Sequence, residues 1–158
     1  MPIRPARPGD APRLTALAHA AKRHWGYPDA WIEAWREALT ITPADLATLD
    51  VRCAEDGDGL AGFYALGGAP PVCILEHLWV GPEAMGRGVG RALFRDAAVR
   101  AAARGATLLE IDSDPHAEGF YLRMGARRVG TVVDAVLGQR RERPLLRLAL
   151  DAAPPPSG

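Results

Sequence analysis

Three glycines at alternate positions, Gly86, Gly88 and Gly90, fall between the most strand-like run of the chain and a helical run. The strand-like run, Val72 to Val80, is bounded by Pro70-Pro71 and Gly81-Pro82. The helical run, 89–103, carries Val89, Leu93, Ala97 and Ala101 at four-residue spacing, which marks one face of a helix. Without a Cβ, glycines let such a turn curl tightly and let a bulky group approach the backbone. The helix start offers unpaired N–H groups and the positive end of its dipole, which together bind phosphate. Two familiar nucleotide loops do not fit. A Walker-type loop needs Gly-Lys-Ser/Thr at its end, and Gly90 is followed by Arg91-Ala92; a dinucleotide fingerprint belongs near the chain start, not past its middle. On this motif alone a pyrophosphate cradle and a plain tight turn both stay open.

The rest of the chain supplies a setting for that turn. Residues 2–6 read as a first strand. Asp10 reads as the N-cap of a helix running to about residue 24, with Leu14, Leu17, Ala18 and Ala21 on one face. Gly26 and Pro28 break the pattern before a second helix that stacks Trp31, Trp35 and Leu39. Thr42-Pro43 opens a short helical turn through Leu49. The period then changes. Residues 50–55 and 60–66 read as two strands joined by the Asp-Gly pairs of 55–59, a hairpin signal. Strand 107–111 follows the 89–103 helix, Asp114-Pro115 opens a helix that Gly125 closes, and 127–136 and 144–150 are the last strands. The order β-α-α-β-β-β-α-β-α-β-β predicts a single α/β domain over 1–150, a mixed, mostly antiparallel sheet with helices on both faces. Residues 151–158, with three consecutive prolines, are expected to be a disordered tail.

Charge narrows the partners. Lysine plus arginine number 19, as do aspartate plus glutamate, so the chain has no basic excess with which to seek nucleic acid or an anionic membrane. No signal-peptide-like stretch or long apolar run is present, which predicts a cytoplasmic protein. Cys53 and Cys73 sit in strand-like runs and read as buried hydrophobes. The four histidines and two cysteines have no zinc-ligand spacing, so no metal is expected.

The stretch from Leu78 through Met85-Gly86-Arg87-Gly88-Val89-Gly90 to Leu93 resembles motif A of the GNAT (Gcn5-related) N-acetyltransferase superfamily, whose core is Q/R-x-x-G-x-G/A. A second family run, Asn-x-x-Ala-x-x-x-Tyr-x-x-x-Gly-Phe, is matched in spacing by Asp114, Ala117, Tyr121, Gly125 and Ala126. Met85, Asp114 and Ala126 depart from the usual residues. The resemblance covers the chain to about residue 150 and is sharp over 74–126. It implies an acetyl-CoA-dependent N-acyltransferase, with acetyl-CoA as cosubstrate, acting on a small-molecule or peptide amine. A non-catalytic acyl-CoA-binding or regulatory module is the alternative.

By that resemblance, the strands carrying 74–80 and 107–111 splay apart, and backbone groups at Leu78 and Val80 hold the pantetheine arm. Met85, Gly86, Arg87, Gly88, Val89, Gly90 and Arg91 surround the pyrophosphate, with Asp114 and Tyr121 completing the cofactor site. Tyr121 protonates the leaving thiolate. Strand alternation places Ile74, Glu76, Leu78 and Val80 on one face and His77 on the other, and Glu76 is the expected general base. The structural alternatives are a core aromatic at 121 and a surface or ion-paired carboxylate at 76. Trp25, Tyr27 and Trp31 are expected to line the acceptor pocket, opposite a basic loop at 139–143 that pairs a substrate carboxylate or is simply solvated. A homodimer, with that loop reaching a neighbour's pocket, is the assembly expected.

Overall fold

The computed structural model describes residues 1–57 and 59–151, so all but the first residue of the expected tail lies outside the described residues. The elements run β1 (Ile3–Pro5), α1 (Ala11–His24), α2 (Asp29–Ala34), α3 (Pro43–Thr48), β2 (Asp50–Asp56), β3 (Gly59–Ala69), β4 (Val72–Val80), α4 (Val89–Ala103), β5 (Leu108–Asp112), α5 (Glu118–Arg123), β6 (Arg127–Val136) and β7 (Gln139–Ala149). The seven strands form one sheet in the order β1-β2-β3-β4-β5-β7-β6. Every pairing is antiparallel except β4 with β5. This is the expected α/β fold.

Two apolar layers sandwich the sheet. Leu66, Leu75, Leu93, Phe94, Leu109 and Ile111 pack between the sheet and α4 and α5. Leu14, Ala18, Ile41, Val51, Phe63 and Ala65 pack between the opposite face and α1. Cys53 and Cys73 are free and fully buried, one in each layer, as their strand contexts predict.

Local chemistry moves several expected boundaries. Asp10 stands at the N-cap of α1, as expected, but its side chain makes no capping bond: it also ends a 3-10 turn, where its carboxylate accepts from the Arg7 amide at 2.8 Å and from the Arg4 guanidinium at 2.8 Å. The second helix stops at Ala34, because bonds to the third residue back, from Arg36 to Glu33 and from Thr40 to Glu37, break the α-helical ladder. Residues 139–143 are not a loop. They pair with Val132–Val136 as the start of β7, since Leu137 and Gly138, at φ +48° and +80°, close the hairpin in two residues.

The largest correction lies in β4. His77 pairs with Ala65, but Leu75 pairs with Leu66, so Glu76 is an extra residue in the strand, a β-bulge. The bulge reverses the alternation. Leu78 and Val80 pack on the α4 layer with Cys73 and Leu75, not on the face of Glu76. Glu76 and His77, predicted to point apart, both lie on the α1 side: the Glu76 stem beside Leu49 at Gly67, and the His77 ring 6.2 Å from Phe63.

Candidate active site

The parallel ladder between β4 and β5 is short. It runs from Val72–Leu108 to Leu75–Ile111 and stops at the bulge. Beyond it, residues 77–80 keep pairing with β3 on one side only. Their other edge, with its backbone donors and acceptors, lines a groove of about 660 Å³ that opens between β4, the glycine turn and α5.

The glycine turn forms one end of this groove. Gly86 and Gly88 adopt φ of +80° and +83°, and a Cβ built on either would meet nothing within 4 Å. Backbone conformation therefore demands glycine here, and the space beside it is open. Gly90 is different: a Cβ there would sit 3.4 Å from Val80 and 3.6 Å from Phe120, ordinary contact distances, so α4 packs against β4 and α5 here without demanding glycine. Gly88 is the N-cap of α4, and the first bond of the turn runs from the Ala92 amide to its carbonyl. The amides of Gly88, Val89, Gly90 and Arg91 have no carbonyl four residues back to bond, and all four residues line the groove. Such a terminus binds anionic groups. The Arg87 side chain is held away by Asp56, and half-buried Met85 adds apolar wall.

Tyr121 closes the inner side. It is 6% exposed and wedged between Phe94 and Phe120, with ring centroids at 5.5 and 5.2 Å. Burial, with the Asp114 charge adding, pushes its phenol well above the ordinary range. The phenol therefore keeps its proton at neutral pH. Glu76 stands at the split between the strands, exposed and without a cation partner among the described residues. Partial burial and the nearby Asp112 charge raise its carboxyl above the usual carboxylate range. Asp112 itself is clamped by Arg143 at 2.8 and 3.0 Å. The His77 ring accepts from the Trp79 indole at 3.0 Å, and burial lowers its pKa.

The far end of the groove is built around Asp114. Its carboxylate accepts from Lys22 at 2.6 Å, the Tyr27 hydroxyl at 3.0 Å, Arg141 at 3.1 Å and the His116 amide at 2.8 Å. Burial alone would raise this carboxyl. The Lys22 charge and the hydrogen bonds from Lys22 and His116 outweigh burial and hold it at about 2. For Lys22 the balance tips the other way: burial and the Arg141 and Arg143 charges lower its pKa despite Asp114. Its ammonium also sits 4.3 Å from the Trp35 ring centroid and 5.0 Å from that of Tyr27, so aromatic faces replace part of its lost hydration. Trp25 stacks on His116 at 5.1 Å, and both line the groove.

Comparison with known proteins accords with this geometry. Residues 13–126, more than half the chain, match the family described as Acetyltransferase (GNAT) family. The chain belongs to the GNAT acetyltransferase family. A GCN5-related N-acetyltransferase structure from Rhodopseudomonas palustris is 26% identical, with 94% of this chain and 95% of that chain covered at a TM-score of 0.80. PaiA N-acetyltransferase from Thermoplasma acidophilum, solved in complex with coenzyme A, shares the fold at 18% identity, with 94% and 98% covered and a TM-score of 0.73. The yncA acetyltransferase of Salmonella typhimurium, solved with acetyl-CoA, does so at 19% identity, 100% and 98% coverage and a TM-score of 0.70. No curated protein sequence matches the chain.

The residues expected from sequence separate into two groups in this GNAT chain. Glu76, Leu78, Val80, Met85, Gly86, Gly88, Val89, Gly90, Arg91, Asp114, Tyr121 and Trp25 border one groove. Arg87 turns to Asp56, and Tyr27 and Trp31, stacked at 6.0 Å, belong to the aromatic wall around Lys22 and not to the groove lining. The Asp114 carboxylate faces Lys22 and Arg141, so it is committed inside the protein. Sequence reasoning missed Lys22 and His116, and it gave Arg141, within the basic segment 139–143, a substrate carboxylate where the structure gives it Asp114. One signal was present: Lys22 is the only lysine in a chain with 18 arginines.

Proposed function

We propose that this GNAT protein transfers the acetyl group of acetyl-CoA to a primary amine. One observation carries the reading: left-handed Gly86 and Gly88, beside open space and the unpaired start of α4, adjoin the unpaired edge of β4. A pyrophosphate fits the helix start, and an extended amide-bearing arm fits the strand edge at Leu78 and Val80. The thioester supplies an activated acyl group. The amine must first lose a proton, because an alkylammonium has a pKa of about 10. Glu76 is the base in this reading; its raised pKa and lack of a cation partner make it a better proton acceptor than an ion-paired carboxylate. Tyr121 offers its hydroxyl as a hydrogen-bond donor to the departing sulfur. A thiol is a stronger acid than such a phenol, so Tyr121 stabilises the thiolate chiefly as a hydrogen-bond donor.

A screen of primary amines with acetyl-CoA, read by free thiol and by acetylated product, tests the reading. At least one amine should be acetylated, and Tyr121→Phe should lower kcat by roughly 10²–10³-fold, the worth of one hydrogen-bond donor to developing charge, with little change in acetyl-CoA affinity. Binding of acetyl-CoA without transfer to any amine would leave a non-catalytic acyl-CoA-binding module.

A further inference from the structure

An alkylammonium that becomes an amide gives up two N–H protons: one before attack, one as the C–N bond is completed and the C–S bond breaks. Glu76 accounts for the first. We propose that His116 is a catalytic residue that accepts the second proton at Nε2, with Asp114 and Tyr27 as its positioning residues. The proposal rests on the amine acetyl transfer described above and adds a group that reading does not use.

The ring of His116 is held on three sides. Nδ1 lies 2.9 Å from Asp114 Oδ1 and 3.2 Å from the Tyr27 hydroxyl oxygen, and the ring face stacks on Trp25 with planes 19° apart. The neighbours fix which nitrogen carries hydrogen. An ionised carboxylate only accepts, and the Tyr27 oxygen receives a hydrogen from Arg141 at 2.9 Å while giving its own to Asp114. Nδ1 must therefore donate. The neutral ring is then the Nδ1–H tautomer, and Nε2 carries the lone pair. Its side chain is 43% exposed and lines the groove that Tyr121 also borders, and Nε2 is the ring's one basic atom not engaged by Asp114 and Tyr27. A carboxylate that fixes the tautomer and leaves the opposite nitrogen free is how imidazole bases are oriented in acyl transfer. The Lys22 charge keeps that carboxylate ionised, and Lys22 and Arg141 together hold it in place.

The step balances. The amine nitrogen bonds to the acyl carbon, the C–S bond breaks, and Nε2 takes the nitrogen's remaining surplus proton. The imidazolium then returns that proton to the thiolate, a transfer that runs downhill because an imidazolium is a stronger acid than a thiol. The proton on Glu76 goes to solvent, so the ammonium and acetyl-CoA yield amide, thiol and one proton.

Two measurements decide it. Histidine ¹⁵N NMR on the full chain reads the tautomer without turnover: His116 should be Nδ1–H when neutral, and Tyr27→Phe should weaken that preference. A ring carrying its hydrogen on Nε2 overturns the proposal. Transfer from acetyl-CoA to 2-phenylethylamine, or to the best amine of the screen, should fall roughly 10²-fold in kcat for His116→Gln. Acetyl-CoA binding should be unchanged, and added imidazole should restore part of the rate in His116→Ala. Wild-type turnover in both variants overturns the role of His116 alone. A wild-type protein that acetylates no amine would instead bring down the reaction assignment, and the role of His116 with it.

Discussion

The two ends of the groove are made of different materials. At the glycine turn the functional atoms belong to the backbone: amides at the start of α4, the unpaired edge of β4, and left-handed Gly86 and Gly88. At the Asp114 end they belong to side chains drawn from α1, the α1–α2 connection, the turn before α5 and β7, meeting on one carboxylate. A backbone site depends on local conformation, so few substitutions destroy it and those few are glycines. A side-chain site depends on long-range packing, so any one member can unbalance the rest.

The largest effect should come from the side-chain end. Asp114→Asn leaves Lys22 and Arg141 buried without their carboxylate, and removing one partner of a buried pair costs about 3–5 kcal/mol. Denaturant unfolding measures it; a loss below 1 kcal/mol would mean that the aromatic faces alone suffice for Lys22. In the wild type the folded Asp114 pKa of about 2 lies below its ordinary 3.8. Its contribution is therefore fully present above about pH 4 and fades as pH falls from there toward 2.

At the backbone end, Gly88→Val forces a branched residue to φ +83°. Strain of up to about 3 kcal/mol corresponds to roughly 100-fold lost acetyl-CoA affinity by titration calorimetry if the turn relaxes out of shape. Affinity within twofold of wild type would show that the turn is not the cradle. Glu76→Gln sharpens the boundary between the ends. With Glu76 raised by burial and by Asp112, the rate should decline as pH drops through a value above the usual carboxylate range, and the variant should lack that ionisation. Met85→Ala should do least, within about twofold in acetyl-CoA affinity, because backbone amides make the contacts here. A tenfold loss would move part of the cradle to side chains.

The same division explains what could be read from the sequence. The strand–glycine turn–helix series was legible because glycine spacing and hydrophobic period are local. The bulge at Glu76 was not. Strict alternation placed Glu76 with Leu78, and only the β3 register, a tertiary fact, inserts the extra residue. Residues 139–143 read as loop because their charge masked strand pairing, and the turn at Leu137 depends on a positive φ that leucine rarely adopts. The Asp114 cluster spans residues 22 to 141, and no local pattern announces contacts at that separation. The lone lysine was the one clue.

Thermal unfolding of the protein with acetyl-CoA, coenzyme A, ATP and NAD in parallel tests the central claim most directly. The backbone cradle beside a split strand should accept acetyl-CoA, which at a hundredfold excess over its dissociation constant stabilises the fold by about 2.7 kcal/mol and raises Tm accordingly. ATP and NAD lack the pantetheine arm that the β4 edge would hold, and should shift Tm less. A larger rise with NAD or ATP than with acetyl-CoA would contradict the account.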